Sequence, residues 1–225
     1  MCGRFTLTSP SGLMSLFEIN ERPLLRPRFN IAPSEEIAVV RPAPDGSRRL
    51  EMMRWGLIPY WSREPATAAR TINARSETAD WKPAFRNAFR FRRCLIPADG
   101  FFEWKKQKGG SLPFYYRMRD ESIFAFAGLW DLWRNGKGES IRSCTILTTS
   151  PNELVAPVHN RMPVILAPDH YRAWLDPQPA RPQLKGLLLP FPAAEMIAFP
   201  VGRRVNSPRN DDPACLTPDR SAAVD

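Results

Sequence analysis

The chain has 225 residues, with 32 Lys and Arg against 23 Asp and Glu, a formal charge of +9, and 43% hydrophobic residues. That is enough apolar material for one domain with a core of its own. No apolar run reaches the length of a membrane-spanning helix. The opening Cys2-Gly3-Arg4-Phe5 is not the basic-then-apolar start of a secretory signal. A cytoplasmic protein without membrane contact is expected.

Only six of the 32 basic residues are lysines. Guanidinium grips phosphate in a planar fork, so an arginine-rich excess suits a polyanionic partner. G/C-rich codon usage would explain the same excess. The four cysteines stand at positions 2, 94, 144 and 215, with no close pair, and two histidines complete no zinc spacing. Free intracellular thiols follow, with no metal and no organic cofactor expected.

Taken in chain order, Ser9-Pro10 ahead of Leu13, Leu16 and Phe17 predicts a capped amphipathic helix. Glu36–Arg41 and Arg49–Trp55 read as strands joined around Asp45-Gly46, with Trp55 in the core. Pro59–Arg70 reads as a shaped loop. Asp80 is placed to cap a helix over Trp81–Arg92, with Phe85 and Phe89 inward and Arg86, Arg90 and Arg93 as a basic stripe. That stripe is either a solvated helix face or a contact for polyanions.

Further strands are predicted over Gly100–Lys105, Pro113–Met118, Ile123–Trp130, Ser143–Thr149 and within Val158–Leu166, with a turn over Lys106–Ser111. Pro168-Asp169 starts a short helix carrying Tyr171, Trp174 and Leu175. Beyond about Asn206 the composition is that of a frayed tail. Many short strands and few helices predict a single α+β domain on a curved, barrel-like, mainly antiparallel sheet with flanking helices. The expected bounds are residues 2–210 for the domain and 211–225 for the tail.

Cys2 carries the chemistry. Removal of Met1 by methionine aminopeptidase leaves a terminal cysteine with an amine and a thiol on adjacent carbons. Such a 1,2-aminothiol condenses with an aldehyde to an imine, which the thiol closes to a five-membered thiazolidine. The α-amine titrates at about 7.7–8.0 and the thiol at about 8.5, so part of each is unprotonated near neutrality. Closure of the second bond gains from the tether.

Six ordered blocks surround this cysteine: MCGRF at the start, FNIAPS (29–34), RWGLIPYW (54–61), INARSET (72–78), CLIPADGFFEWK (94–105) and PVHNRMPVIL (157–166). On these blocks the chain resembles the SRAP (SOS response-associated peptidase) family, whose members crosslink to abasic sites in single-stranded DNA. The resemblance runs from Cys2 to about Asn210. It implies Cys2, Asn73, Glu103 and His159 as catalytic residues, single-stranded DNA containing abasic sites as partner, and a monomer.

By the same resemblance, His159 would move protons during opening of the sugar, Glu103 would assist the α-amine, and Asn73 would orient a sugar hydroxyl. Arg4, Arg75 and Arg161 stand within two residues of catalytic positions and are candidates for flanking phosphates. Asn30, Pro33, Trp61 and Thr148 fall in blocks that line the family's DNA channel, with Trp61 suited to base stacking. The imine also permits a secondary lyase reaction. Two alternatives stand beside this reading. One is a cysteine peptidase using Cys2, His159 and Asn160 or Asn206 in papain-like order. The other is a non-covalent single-strand binding module. Cys94, Cys144 and Cys215 are expected to be buried structural thiols.

Overall fold

A computed structural model describes residues 2–20, 24–177 and 181–219. Its strands are β1 (Arg4–Leu7), β2 (Arg28–Ile31), β3 (Glu36–Pro42), β4 (Arg48–Trp55), β5 (Asn73–Arg75), β6 (Arg93–Ala98), β7 (Gly100–Gln107), β8 (Gly110–Met118), β9 (Phe124–Arg134), β10 (Ser140–Thr149), β11 (Met162–Pro163), β12 (Ile165–Leu166) and β13 (Met196–Pro200). Helices are short: α1 (Leu13–Phe17), α2 (Arg86–Phe91), α3 (Tyr171–Leu175) and α4 (Arg181–Gly186). Among the described residues no helix is long and apolar enough to cross a membrane.

Strands β13-β8-β7-β1-β2 form a five-stranded sheet. In the other sheet β10, β4, β3, β6 and β9 close into a ring, because β9 also pairs with β10. Closure leaves these strands no unpaired edge. The ring is antiparallel except where β10 runs parallel to β4, and β5 adds a second parallel neighbour to β10. The predicted α+β architecture with a barrel-like sheet is thus observed, and the strands predicted from alternation over 36–55, 100–118 and 124–149 form within a few residues of the expected bounds.

The core lies between the two sheets. Phe5 of β1 meets Trp55 edge-on at 5.2 Å and Phe126 at 5.7 Å, while Phe101 of β7 meets Phe126 at 6.2 Å. All four rings are buried, and each such side chain stabilises by about 1.5–3 kcal/mol. Burying Phe5 therefore also fixes the direction in which β1 presents the residues before it.

Several local expectations are overturned. Ser9 makes no side-chain cap; its backbone N–H instead donates to Asp99 at 3.2 Å. The helix predicted from Trp81 shrinks to Arg86–Phe91, because Pro83 has no N–H and Asp80 is taken by Lys185 at 2.8 Å rather than capping. Arg93 leaves the basic stripe altogether. It is buried, and its guanidinium donates to the carbonyls of Trp174, Phe89, Arg90 and Asp176. Val158–Arg161 is a turn, and only Met162–Pro163 and Ile165–Leu166 are strand.

The expected fraying after Asn206 is also corrected as far as Asp219. Asp211 accepts from the backbone N–H groups of Phe29 (2.6 Å) and Asn30 (2.9 Å) and pairs with Arg28. Pro213–Leu216 forms a 3-10 turn that buries Cys215, and Pro218 bridges to Val201. Backbone donors at the edge of β2 need partners, and this segment supplies them. Residues 220–225 of the predicted tail lie outside the described residues.

Candidate functional site

The four residues implied as catalytic come from separate elements. Pairing of Arg4 with Phe102 runs β1 antiparallel to β7, so the residues before Arg4 lie along Glu103 and Trp104. Glu103 shares the inward face of β7 with Phe101 and is only 3% exposed. Asn73 opens β5, held parallel to β10 by the pairing Ile146 with Asn73. His159 ends a helical turn in which its N–H donates to Val155 at 2.9 Å.

These elements converge. The Asn73 amide nitrogen donates to the Cys2 carbonyl at 2.8 Å. His159 Nδ1 stands 4.0 Å from Glu103 Oε1. The same Nδ1 is 3.0 Å from the Arg161 N–H and 3.1 Å from the Arg161 carbonyl, so it meets an acceptor when protonated and a donor when bare. Asn73 Oδ1 is buried and has no hydrogen-bond partner among the described residues.

Cys2 is 0% exposed. Its thiol lies 3.8 Å from the Arg4 carbonyl. Burial pushes the thiol pKa well up, and the Glu103 charge pushes in the same direction. Burial also raises Glu103, against an opposing pull from His159. Both effects favour the protonated thiol over the thiolate.

The candidate DNA residues divide. Arg75 is exposed, and Trp61 is 55% exposed beside the equally open Tyr60. Pro33 is half-buried at the end of β2. Arg161 makes a two-pronged pair with Glu77 at 2.6 and 2.9 Å and donates to the Thr148 carbonyl at 2.5 Å. Asn30 and Thr148 are fully buried. Asn30 Nδ2 donates to Val205, Ser207 and Asn210, and its Oδ1 accepts from Arg4 at 2.8 Å. The side chain thus makes its hydrogen bonds inside the protein. Arg4 also donates to Val205 at 2.8 Å and lies over Trp104. It ties the 203–211 segment to the site.

Of the residues in the papain-like alternative, Asn206 Oδ1 accepts from Trp104 Nε1 at 2.8 Å, and the Arg161 backbone flanks His159 Nδ1. Among the described residues no group of three or more His, Cys, Asp or Glu side chains is placed to hold a metal ion. Cys94, Cys144 and Cys215 are buried free thiols. Sequence reasoning missed Asp99, which accepts from Thr6 Oγ1 (2.5 Å), Thr8 Oγ1 (2.7 Å) and the Thr8 N–H and so pins β1. The threonines at positions 6 and 8 were the available signal.

The family model described as SOS response associated peptidase (SRAP) matches residues 1–208. Abasic site processing protein YoaM of Bacillus subtilis is 43% identical over 96% of this chain and 97% of its own length. Abasic site processing protein HMCES of Gallus gallus is 35% identical over 86% of this chain and 66% of its own. A solved structure of a Bacteroides thetaiotaomicron protein superposes with a TM-score of 0.86 at 26% identity, covering 97% of this chain and all of that one. By sequence and by fold, this chain belongs to the SRAP family.

Proposed function

We propose that this chain senses abasic sites in single-stranded DNA and shields them through a covalent bond to Cys2. The observation that carries this reading is the convergence on Cys2: Asn73 holds its carbonyl at 2.8 Å, beside a buried Glu103 that stands 4.0 Å from His159. The names of the relatives, abasic site processing proteins, support the substrate class.

Once Met1 is removed, Cys2 owns an α-amine. His159 exchanges the proton needed to open the ring-closed deoxyribose to its aldehyde, and Asn73 Oδ1 accepts from a sugar hydroxyl. Glu103 takes a proton from the α-ammonium. The amine adds to the aldehyde carbon, and the carbinolamine loses water to an imine. The thiol then adds across C=N, sulfur to carbon and its proton to nitrogen, closing a thiazolidine. Net, one water leaves and the aldehyde is gone. The imine also permits β-elimination, a secondary lyase activity. Arg75 and Arg161 hold flanking phosphates, Trp61 stacks on a base, and Arg4, Asn30, Pro33 and Thr148 shape the channel behind them. The protein acts as a monomer in the cytoplasm, wherever single-stranded DNA is exposed.

Intact mass spectrometry after incubation with a single-stranded oligonucleotide carrying one abasic site tests this. The expected product is a denaturation-resistant adduct at Cys2, lacking Met1 and one water. No adduct from protein verified to begin at Cys2 overturns the reading.

A further inference from the structure

The face after β5 carries a feature that the Cys2 chemistry leaves unused. Trp81 and Phe91 are 59% and 60% exposed, and Lys82, Arg86 and Arg90 beside them are exposed too. The Arg86 N–H donates to the Lys82 carbonyl at 2.8 Å, a helical bond that sets Lys82 and Arg86 one turn apart. Arg90 follows at the next step of four along α2. The three cations therefore form one ridge. Arg90 also lies 4.9 Å over the Phe91 ring.

Among the described residues their charge is not answered by a carboxylate. The two acids between Arg75 and Lys82 are committed elsewhere, Glu77 to Arg161 and Asp80 to Lys185. Among the described residues no carboxylate pairs with Lys82, Arg86 or Arg90. Exposed cations and exposed aromatic rings on one short stretch of chain match a partner with alternating phosphates and stackable bases, a single strand of nucleic acid. The position suits one leaving the Cys2 site. β5 carries Asn73 and Arg75, the Ala79 N–H returns to the Arg75 carbonyl at 2.9 Å, and Trp81 follows this turn.

We infer that Trp81, Lys82, Arg86, Arg90 and Phe91 form a second, non-catalytic contact surface for single-stranded DNA that holds the strand flanking the lesion. This rests on the reading that the chain binds such DNA. The ridge takes phosphates and the two rings take bases, without regard to sequence. It adds residence on long strands and leaves the chemistry at Cys2 unchanged.

The test compares fluorescence anisotropy on a short abasic oligonucleotide spanning only the Cys2 site with that on a long one, alongside crosslink yield on the short one. For Lys82→Ala/Arg86→Ala/Arg90→Ala, binding to the long strand should weaken, with its log–log salt slope reduced by about 2, at ~0.7 per phosphate. Trp81→Ala and Phe91→Ala should each cost about fivefold or more on the long strand. Short-strand affinity and crosslink yield should match wild type.

Equal long-strand binding by wild type and variants overturns the inference. So does an equal loss on both lengths, which would assign these residues to the Cys2 site or to folding. Loss of binding to polyglutamate with DNA binding intact would assign the face to an acidic protein and overturn it as well. If wild type forms no adduct while the variants still lose the long strand, the covalent reading falls and this surface stands.

Discussion

The side-chain amide of Asn73 donates to the Cys2 carbonyl at 2.8 Å, so β5, paired to the closed ring through β10, grips the residue that leads into β1 of the five-stranded sheet. One hydrogen bond thereby joins the two layers at the reactive residue. Asn73→Asp puts a second acceptor where a donor is needed. Loss of the bond alone is worth about 0.5–1.5 kcal/mol, or roughly 2- to 13-fold in rate. Single-turnover crosslinking should slow by at least that factor. An unchanged rate would remove Asn73 from the mechanism.

Glu103 makes a prediction about stability as well as rate. Burial raises its folded pKa above the unfolded value. Its stabilising contribution is thus fully present below the unfolded pKa and is lost as pH rises through the folded one. Glu103→Gln has no charge to bury. Its urea midpoint should exceed that of wild type by a margin that widens as pH rises above the ordinary carboxylate range of about 4. Crosslinking by the variant should be slower throughout. A margin that narrows with rising pH would contradict the assignment.

Arg4 and Arg75 were equal candidates for phosphate contacts, yet the structure separates them. Arg75→Ala should lower the salt slope of DNA binding by ~0.7 and leave the melting temperature unchanged. Arg4→Ala should do more, since Arg4 bridges Asn30 and the Val205 carbonyl at 2.8 Å each. Hydrogen exchange should accelerate over residues 203–211 in that variant alone.

Asp99 carries no chemistry, but it holds β1 in place. Asp99→Ala strands the donors of Thr6, Thr8 and Ser9. The expected destabilisation is on the order of 3 kcal/mol, read as a lower urea midpoint at constant m-value.

The elements legible in the sequence were those whose alternation or turn chemistry is local, such as β3 and β4 around Asp45-Gly46. β6 was hidden because Arg93, which opens it, looks like a surface residue and is in fact a buried donor to four carbonyls. β1 and β2 are four residues each and gain their order from distant partners, Asp99 and Asp211. The candidate site was legible through the blocks around positions 2, 73, 103 and 159, since no local spacing connects residues so far apart. The blocks could not tell a surface arginine from a tethering one, nor reveal that Asn30 spends its amide on three backbone carbonyls.

The grip of Arg4 on Val205 spans 201 residues of chain. Arg4 is synthesised almost at once, whereas the carbonyl that steadies it leaves the ribosome last among the partners of β1. A growing chain therefore holds β1 through Asp99 and its strand neighbours but without this last anchor until the 203–211 segment arrives. Full anchorage of β1 therefore waits on a segment made 201 residues after Arg4.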